Sequence, residues 1–487
     1  MSDFDKDLRS IQEARDLSTS AFNAWQKWST ASQEQVDQVC AAMSAAALNA
    51  SESLGRQAHL ETGYGVPEHK RLKNIFAAKN VWESIKDLKT VGILDHDPEK
   101  KVYNIAWPVG VIAALTPSTN PTSTVMYKIL IAVKARNAIV IAPHPSAAKC
   151  CYETAQIMAQ AAEAHGAPPG LISCIKNISL QGTQELMRHK YVALILATGG
   201  TPMVRAAHST GKPAFGVGPG NVPVYVDRSA DLVKAARYIV ASKAFDCSTI
   251  CATEQAVVAD RPIAGQLASL MQKEGAYFTN SQESDLLRKL LFHPDGSMNT
   301  ATVGKPAEYL AGMAGFEIPR GTRILVTCLT KTGKEEPLSR EKLTTVLGWY
   351  EEEGWEAGCE RCIELIQFGG RGHSLIIHAT DQKVIMAFGL EKPVFRIAVN
   401  TMGTLGAIGL TTGVKPSMTL GAGGVGGSIT GDNISAHHLI NVKRLAYELS
   451  APPAEALVPG KIITGPTAQE IEKVVQTVVE EILNIRQ

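Results

Sequence analysis

The 487-residue chain has no excess of charge: 48 Lys plus Arg stand against 47 Asp plus Glu. Without a block of like charge it lacks the electrostatic footprint of a nucleic-acid or anionic-membrane binder, so an anionic ligand has to be held locally. There is no apolar leader. MSDFDKDLRS carries three aspartates, which argues against a secretory signal and for a cytoplasmic protein. There is no uninterrupted apolar span either, because the longest uncharged run, 102–127, is broken by Pro108, Pro117 and Pro121 and reads as strands and turns. No internal repeat of fixed period is present. The nine cysteines are odd in number and scattered, which excludes a disulfide framework and fits free thiols in a reducing compartment. Cys359 and Cys362 in EAGCERCIELIQ have no second pair and no histidine at ligand spacing, so two helix residues one turn apart are expected, not zinc. His437 and His438, being adjacent, are poorly placed to share one ion, and no metal is expected.

A working G-x-G-x-x-G fingerprint is also missing. GAGGVG (421–426) is followed by SITGDNIS instead of an amphipathic helix, and GVGPGN (216–221) runs into a strand. What is present is alternation. Residues 1 to about 90 carry helix periodicity, as in AFNAWQKW and VDQVCAAMSAAAL. VGVIAAL, NAIVIAP, VALILAT and VPVYV then alternate with helical stretches, predicting an α/β fold with a parallel, doubly covered sheet. A second α/β block spans 228–425 with EQAVVA, RILVTCL, SLIIHA and VFRIAVN as strands. Residues 426–450 form a return segment, 451–466 a Pro/Gly-rich linker and 467–487 a terminal helix. In parallel sheets ligands bind beyond the strand carboxyl ends, here PHPS (143–146) and ATGGT (197–201). ATGGTPMVRAAHS places a glycine turn between a strand and a helix start, where free N–H groups can hold a phosphate or position a nicotinamide.

FDCSTICATEQ (245–255) sets two thiols in a polar turn between a helical segment and a strand, a setting that can expose a nucleophile. Taken with PVGVIAALTPSTNPTST, NAIVIAPHPSA, ATGGTPMVRAA, GKPAFGVGPGNVPV, SREKLTTVLG, FGGRGHS and HLIN in that order, it resembles the aldehyde dehydrogenase superfamily over roughly residues 100–450. The closer likeness is to the CoA-acylating branch, as found in the N-terminal half of bifunctional aldehyde/alcohol dehydrogenases. The resemblance implies a Rossmann-type nicotinamide/CoA-binding domain (1–227) and a catalytic domain carrying the cysteine (228–425). It also implies an oligomerisation strand near 101–106 that works with 426–450 in a homodimer or homotetramer. Cys251 is the implied nucleophile, Cys247 a passive neighbour, and Asn120 with the Cys251 N–H the implied donors to the alkoxide. Implied cofactor contacts are Thr116, Pro117, His144, Pro145, Thr198, Gly199, Gly200 and Glu341, the last on the nicotinamide ribose. Ala147 stands where a ribose-binding glutamate is expected, which leaves NADP open beside NAD. Val217 replaces the water-activating glutamate of hydrolytic relatives, so coenzyme A is the implied acyl acceptor and a short aldehyde, acetaldehyde first, the substrate. Sulfoacetaldehyde as substrate and hydrolysis to a carboxylic acid are the alternatives.

In the tail TAQEIEKVVQTVVEEILNIRQ, Thr467 and Glu470 make a capping box, and Ile471, Val474, Val475, Val478, Val479, Ile482 and Leu483 form one apolar stripe. Six of these seven are β-branched, which weakens an isolated helix and calls for a packing partner. The tail resembles the encapsulation peptides that load enzymes into bacterial microcompartments. Docking on its own chain and self-association are the other expectations.

Overall fold

The computed structural model describes residues 3–457 and 465–484. It divides into two compact units, one of residues 1–94 and 105–443, the other of residues 95–104 and 444–487.

The first unit opens with helices Asp3–Trp28, Gln33–Asn49, Ser51–Thr62 and Pro67–Ile75. The second of these starts at a capping box in which the Gln35 N–H donates to Ser32 Oγ and the Ser32 N–H to Gln35 Oε1. Two parallel sheets follow. Strands β1 (Val111–Thr116), β2 (Ala138–Pro143), β3 (Ile172–Cys174), β4 (Val192–Thr198) and β5 (Ala214–Val217) form a five-stranded sheet in the order β3-β2-β1-β4-β5. Every residue of β1 and β2 is buried, as helices on both faces require of a parallel sheet. Helix Pro121–Lys134, buried along its whole length, leaves β1 after Asn120, with proline in its first turn. The strand order reverses between β1 and β4, so the ligand crevice of this sheet lies beyond Thr116 and Thr198.

The second sheet comprises β6 (Val222–Val226), β7 (Glu254–Asp260), β8 (Ala276–Phe278), β9 (Ile324–Cys328), β10 (Val346–Glu352), β11 (Leu375–His378) and β12 (Ile397–Val399), ordered β8-β9-β10-β7-β6-β11-β12. VPVYV thus belongs to this sheet, and the passage between sheets falls in GPGN, at 218–221. β3, β5, β8 and β10 were not anticipated. GAGGVG forms a short turn at Gly424–Gly426 with no helix after it, as expected.

Val102–Pro108 pairs between Ile93–Asp97 and Ile440–Ala446 in a three-stranded sheet. Within the expected linker Ala454–Leu457 is helical, and 458–464 lie outside the described residues. Helix Ala468–Asn484 begins at the expected cap, with the Thr467 N–H and hydroxyl both donating to Glu470 Oε2. Ile471, Val474, Val475, Val478 and Val479 are exposed along it; the side chains of Ile482 and Leu483 lie outside the described set. No helix among the described residues is long and apolar enough to cross a membrane.

Candidate active site

The thiol-bearing turn leaves helix Leu232–Ala244 and enters β7. Asp246, Cys247 and Ser248 all have positive φ (47°, 49° and 65°). Such conformations cost about 1–3 kcal/mol each for non-glycine residues and persist only where the surroundings over-determine them. Here a buried charge cluster does so. The Asp246 carboxylate accepts from the Val66 N–H (2.7 Å), the Thr249 hydroxyl (2.6 Å) and Lys70 Nζ (3.2 Å), and is paired with Lys73. Its own N–H donates to His69 Nδ1 (2.9 Å). Gly65 has no alternative: at φ 68° its Cβ would fall 1.9 Å from Asp246 Oδ1. Burial alone would raise the Asp246 pKa, but Lys73, Lys70 and the Thr249 hydroxyl outweigh it and hold the carboxyl at about 2.

Lys73 spends its three donors on Asp246, on Thr249 Oγ1 (3.2 Å) and on Asn120 Oδ1 (2.6 Å). That last bond fixes the orientation of the Asn120 amide. Its Nδ2 then donates to the Thr249 carbonyl (2.9 Å) and to Thr119 Oγ1 (3.2 Å). Asn120 follows the carboxyl end of β1 and Thr249 precedes the amino end of β7, so this pair joins opposite edges of the two sheets.

Around Cys251 the other groups also stand at amino ends of second-sheet strands: Gly220 before β6, Glu341 before β10, His373 before β11 and Arg396 before β12. Gly220 packs against both the Cys251 carbonyl and His373; a Cβ there would fall 2.3 Å from the former and 2.9 Å from His373 Nδ1. The Gly220 N–H donates to Glu341 Oε1 (2.9 Å). Cys251 is part-exposed and so reachable. Burial of the thiol and the nearby Glu341 charge push its pKa up to about 12, opposed by Arg396 and by the N–H groups of Cys251 and Ala252. Burial likewise lifts Glu341 to about 7. Cys247 is buried and pushed up to about 12 by burial and Asp246, which keeps it a thiol.

Arg396 is nearly enclosed and donates to the carbonyls of His373 (2.8 Å), Gly431 (2.7 Å) and Gly421. The buried His373 pairs Nδ1 with Ser374 Oγ (3.1 Å) and leaves Nε2 without a partner; burial and Arg396 lower it to about 3, so it is neutral.

Of the expected cofactor residues, Thr116, Pro117, Thr198, Gly199 and Gly200 stand at the carboxyl ends of β1 and β4, His144 and Pro145 after the neighbouring β2, and Glu341 apart from them before β10. Thr116 and Thr198 end the neighbouring strands β1 and β4. The Thr116 hydroxyl faces Cys151 Sγ (3.7 Å), so the side chain points inward. Thr198 Oγ1 meets Thr419 Oγ1 at 3.0 Å. Gly199 and Gly200 lead into helix Thr201–His208, whose start has no side-chain cap; Pro202 lacks an N–H and the Met203 N–H donates to the Gly200 carbonyl (3.0 Å), so the Thr201 N–H is the first-turn donor left for a ligand. His144 and Pro145 follow β2, where His144 Nδ1 accepts from the Ser146 N–H (3.2 Å). Ala147 is buried and offers a ribose no side-chain polar group. Val217, 2% exposed, lies opposite Thr198 in the sheet and supplies no carboxylate.

Arg396, Lys73 and Asp246 escaped the sequence reading. The available signal was a charge inside an apolar strand run, as in VFRIAVN, which requires buried partners. Contrary to expectation, His437 and His438 do approach one another with Asp432, their ligand atoms lying within 4.8 Å. The His438 nitrogens are nevertheless taken by the Ser435 N–H (3.0 Å) and Asp432 (3.1 Å), and Lys415 Nζ stands 3.4 Å from His437, so a cation would meet an ammonium.

Doubly wound parallel strands with a ligand crevice where the strand order reverses define a dinucleotide-dependent α/β enzyme. The chain belongs to the aldehyde dehydrogenase family, whose sequence model matches residues 5–283. It is 49% identical to the acetylating aldehyde dehydrogenase of Geobacillus thermoglucosidasius, with a TM-score of 0.91 over 92% of this chain and 99% of that one. It is 42% identical to the aldehyde-alcohol dehydrogenase of Streptococcus pneumoniae over 82% of this chain and 46% of the relative, and so spans about half the length of that protein. A propionaldehyde dehydrogenase from a Clostridium phytofermentans fucose-utilisation microcompartment aligns with a TM-score of 0.81 at 28% identity, over 88% of this chain and 96% of that one.

Proposed function

We propose that the chain is a CoA-acylating aldehyde dehydrogenase that converts a short aldehyde, acetaldehyde first, and coenzyme A into an acyl-CoA, reversibly. The observation that carries this reading is the reachable Cys251 paired with an apolar Val217 where a hydrolytic enzyme needs a base. Cys251 as thiolate attacks the aldehyde carbon. The Asn120 amide, fixed by Lys73, and the Cys251 N–H donate to the resulting alkoxide. When bound, the nicotinamide accepts hydride from that carbon. The thioester left on Cys251 survives because no carboxylate at position 217 activates water, and the coenzyme A thiol attacks its acyl carbon, forming the new S–C bond and releasing the Cys251 thiolate. Thr198, Gly199, Gly200 and the Thr201 N–H at the helix start are assigned to the dinucleotide phosphates, and Glu341 to the nicotinamide ribose. NAD is assigned over NADP, and the passage at 218–221 is proposed as the boundary between the cofactor-binding and catalytic parts, a few residues before the expected limit at 227.

Supporting an assembly role, the helix 468–484 presents an exposed apolar stripe, and one relative comes from a microcompartment. The tail is assigned to shell-protein docking inside such a cytoplasmic compartment, and the sheet around 101–106 to a homodimer or homotetramer. The deciding assay is NAD(P)H formation from an aldehyde panel with and without coenzyme A, together with mass spectrometry of the thioester. CoA-dependent turnover with an acyl adduct on Cys251 supports the reading; full-rate turnover without coenzyme A, or an adduct elsewhere, overturns it.

A further inference from the structure

The Cys359-x-x-Cys362 pair takes no part in the chemistry above. Both thiols sit on helix Gly354–Phe368 and are buried. The structure gives Cys359 an unusual neighbour. Lys392, 6% exposed, follows helix Gln382–Glu391 and directs its amine onto Cys359 Sγ. That thiol is the only hydrogen-bond partner of the Lys392 side chain among the described residues, and no carboxylate there forms an ion pair with it. Its remaining neighbour is the Phe388 ring, 4.8 Å from Nζ to centroid. Glu391 Oε2 lies 4.0 Å from Cys359 Sγ, beside the sulfur. A buried ammonium normally demands a paired carboxylate. Burial instead lowers the Lys392 pKa to about 8, so a sizeable neutral fraction exists near neutral pH.

We infer that Cys359 and Lys392 form an oxidation site in which a peroxide joins the two side chains covalently. In the first step the peroxide O–O bond breaks, the Cys359 sulfur takes one oxygen as a sulfenic acid, and water leaves. The sulfur is oxidised by two electrons and the peroxide is reduced. In the second step the neutral Lys392 amine attacks that sulfur. The S–N bond forms, the S–O bond breaks, and the hydroxyl leaves as water with one amine proton, giving a sulfenamide. A sulfenic acid is known to condense with a backbone nitrogen in this way, and here an amine nitrogen already touches the sulfur. Cys362, on the same helix but without an amine contact, is the internal comparison. The link would fasten helix 354–368 to the segment leading into β12, four residues before Arg396.

The test is peptide mass spectrometry of the full chain after brief hydrogen peroxide treatment and alkylation of free thiols. Pro393 follows Lys392, so a glutamate-specific protease is used in place of trypsin. The expected result is a species joining the Cys359 and Lys392 peptides, short of two hydrogens, that a thiol reductant separates. It should persist in Cys362→Ser and vanish in Lys392→Arg. A Cys359–Cys362 disulfide, a Cys359 sulfinic acid beside a free Lys392 amine, or no change at Cys359 while Cys251 oxidises would each overturn the inference. The wild-type chain alone decides it, so no variant has to fold.

Discussion

Replacing Lys73 with Met tests whether the buried charge cluster serves the chemistry or only the fold. The substitution keeps most of the side-chain volume and deletes three hydrogen bonds, to Asp246, Thr249 and Asn120. Asp246 would keep Lys70, the Val66 N–H and the Thr249 hydroxyl, so its charge is not stranded. The stability loss should therefore fall below the roughly 3–5 kcal/mol of a fully broken buried pair. The Asn120 amide, by contrast, loses the donor to its Oδ1 and is left with the Thr249 carbonyl and Thr119 hydroxyl on its Nδ2. Loss of one alkoxide donor costs about 10²–10³ in kcat, equivalent to about 2.7–4 kcal/mol. Lys73→Met should approach that range with KM for aldehyde and coenzyme A little changed, because the donor acts on the transition state. The discriminating measurement is a double-mutant cycle with Asn120→Ala, following NADH formation at a temperature where circular dichroism shows all variants folded. If Lys73 acts through Asn120, the double variant is no slower than Asn120→Ala alone. Multiplying losses, or a Lys73→Met kcat near that of the wild type, would refute the positioning role.

Glu341→Gln removes the charge that opposes Cys251 ionisation, so alkylation of Cys251 by iodoacetamide at pH 8 should accelerate while KM for the nicotinamide rises; unchanged alkylation would show that Glu341 does not act on the thiol. Glu254 is wholly buried, accepts from Ser242 Oγ (2.5 Å) and the Gly403 N–H (2.7 Å), and is lifted by burial to about 7. The folded state therefore holds its proton more tightly than the unfolded chain, and its contribution to stability declines as pH rises from the ordinary carboxylate range through 7. Glu254→Gln should flatten that part of the Tm-against-pH curve. Val217→Glu should raise turnover without coenzyme A at some cost in stability from burying a carboxyl, read as NADH formed in its absence. Removing residues 465–487 should spare turnover and abolish co-assembly with shell proteins; lost turnover would place the helix in the fold instead.

Most of the frame was legible because its signals are local. β1, β2 and β4 are apolar runs closed by Thr or Pro, and the helix after Asn120 opens on Pro121 as its sequence foretells. β8 and β3 span three residues each, too short for any periodicity to register. β10 hides in VLGWYEE, where Gly348 and two terminal glutamates break the pattern; a Cβ at Gly348 would press on Leu329 Cδ1 at 3.0 Å. VPVYV looked like a further strand of the first sheet because strand membership is a property of pairing, and β6 pairs with β7 and β11 across long sequence gaps. Of the site, the thiol turn and the glycine turn after β4 could be read from their own residues. Lys73 and Asp246, 173 positions apart, could not.

The same separation accounts for why the turn can be strained at all. Three successive left-handed residues would relax if only their own sequence held them, since none is glycine. What holds them is a carboxylate whose partners come from Val66 to Lys73 on one side and Thr249 on the other. Lys73, tied to both that carboxylate and Asn120, makes the conformation of the turn and the aim of the amide one variable. A displacement of helix 67–75 therefore moves the strained turn and the proposed alkoxide donor together, and neither can be adjusted alone. That coupling follows from placing the nucleophile at the amino edge of one sheet and its donor at the carboxyl edge of another. No strand runs between them, so a buried ion cluster has to supply the rigidity that backbone pairing supplies elsewhere.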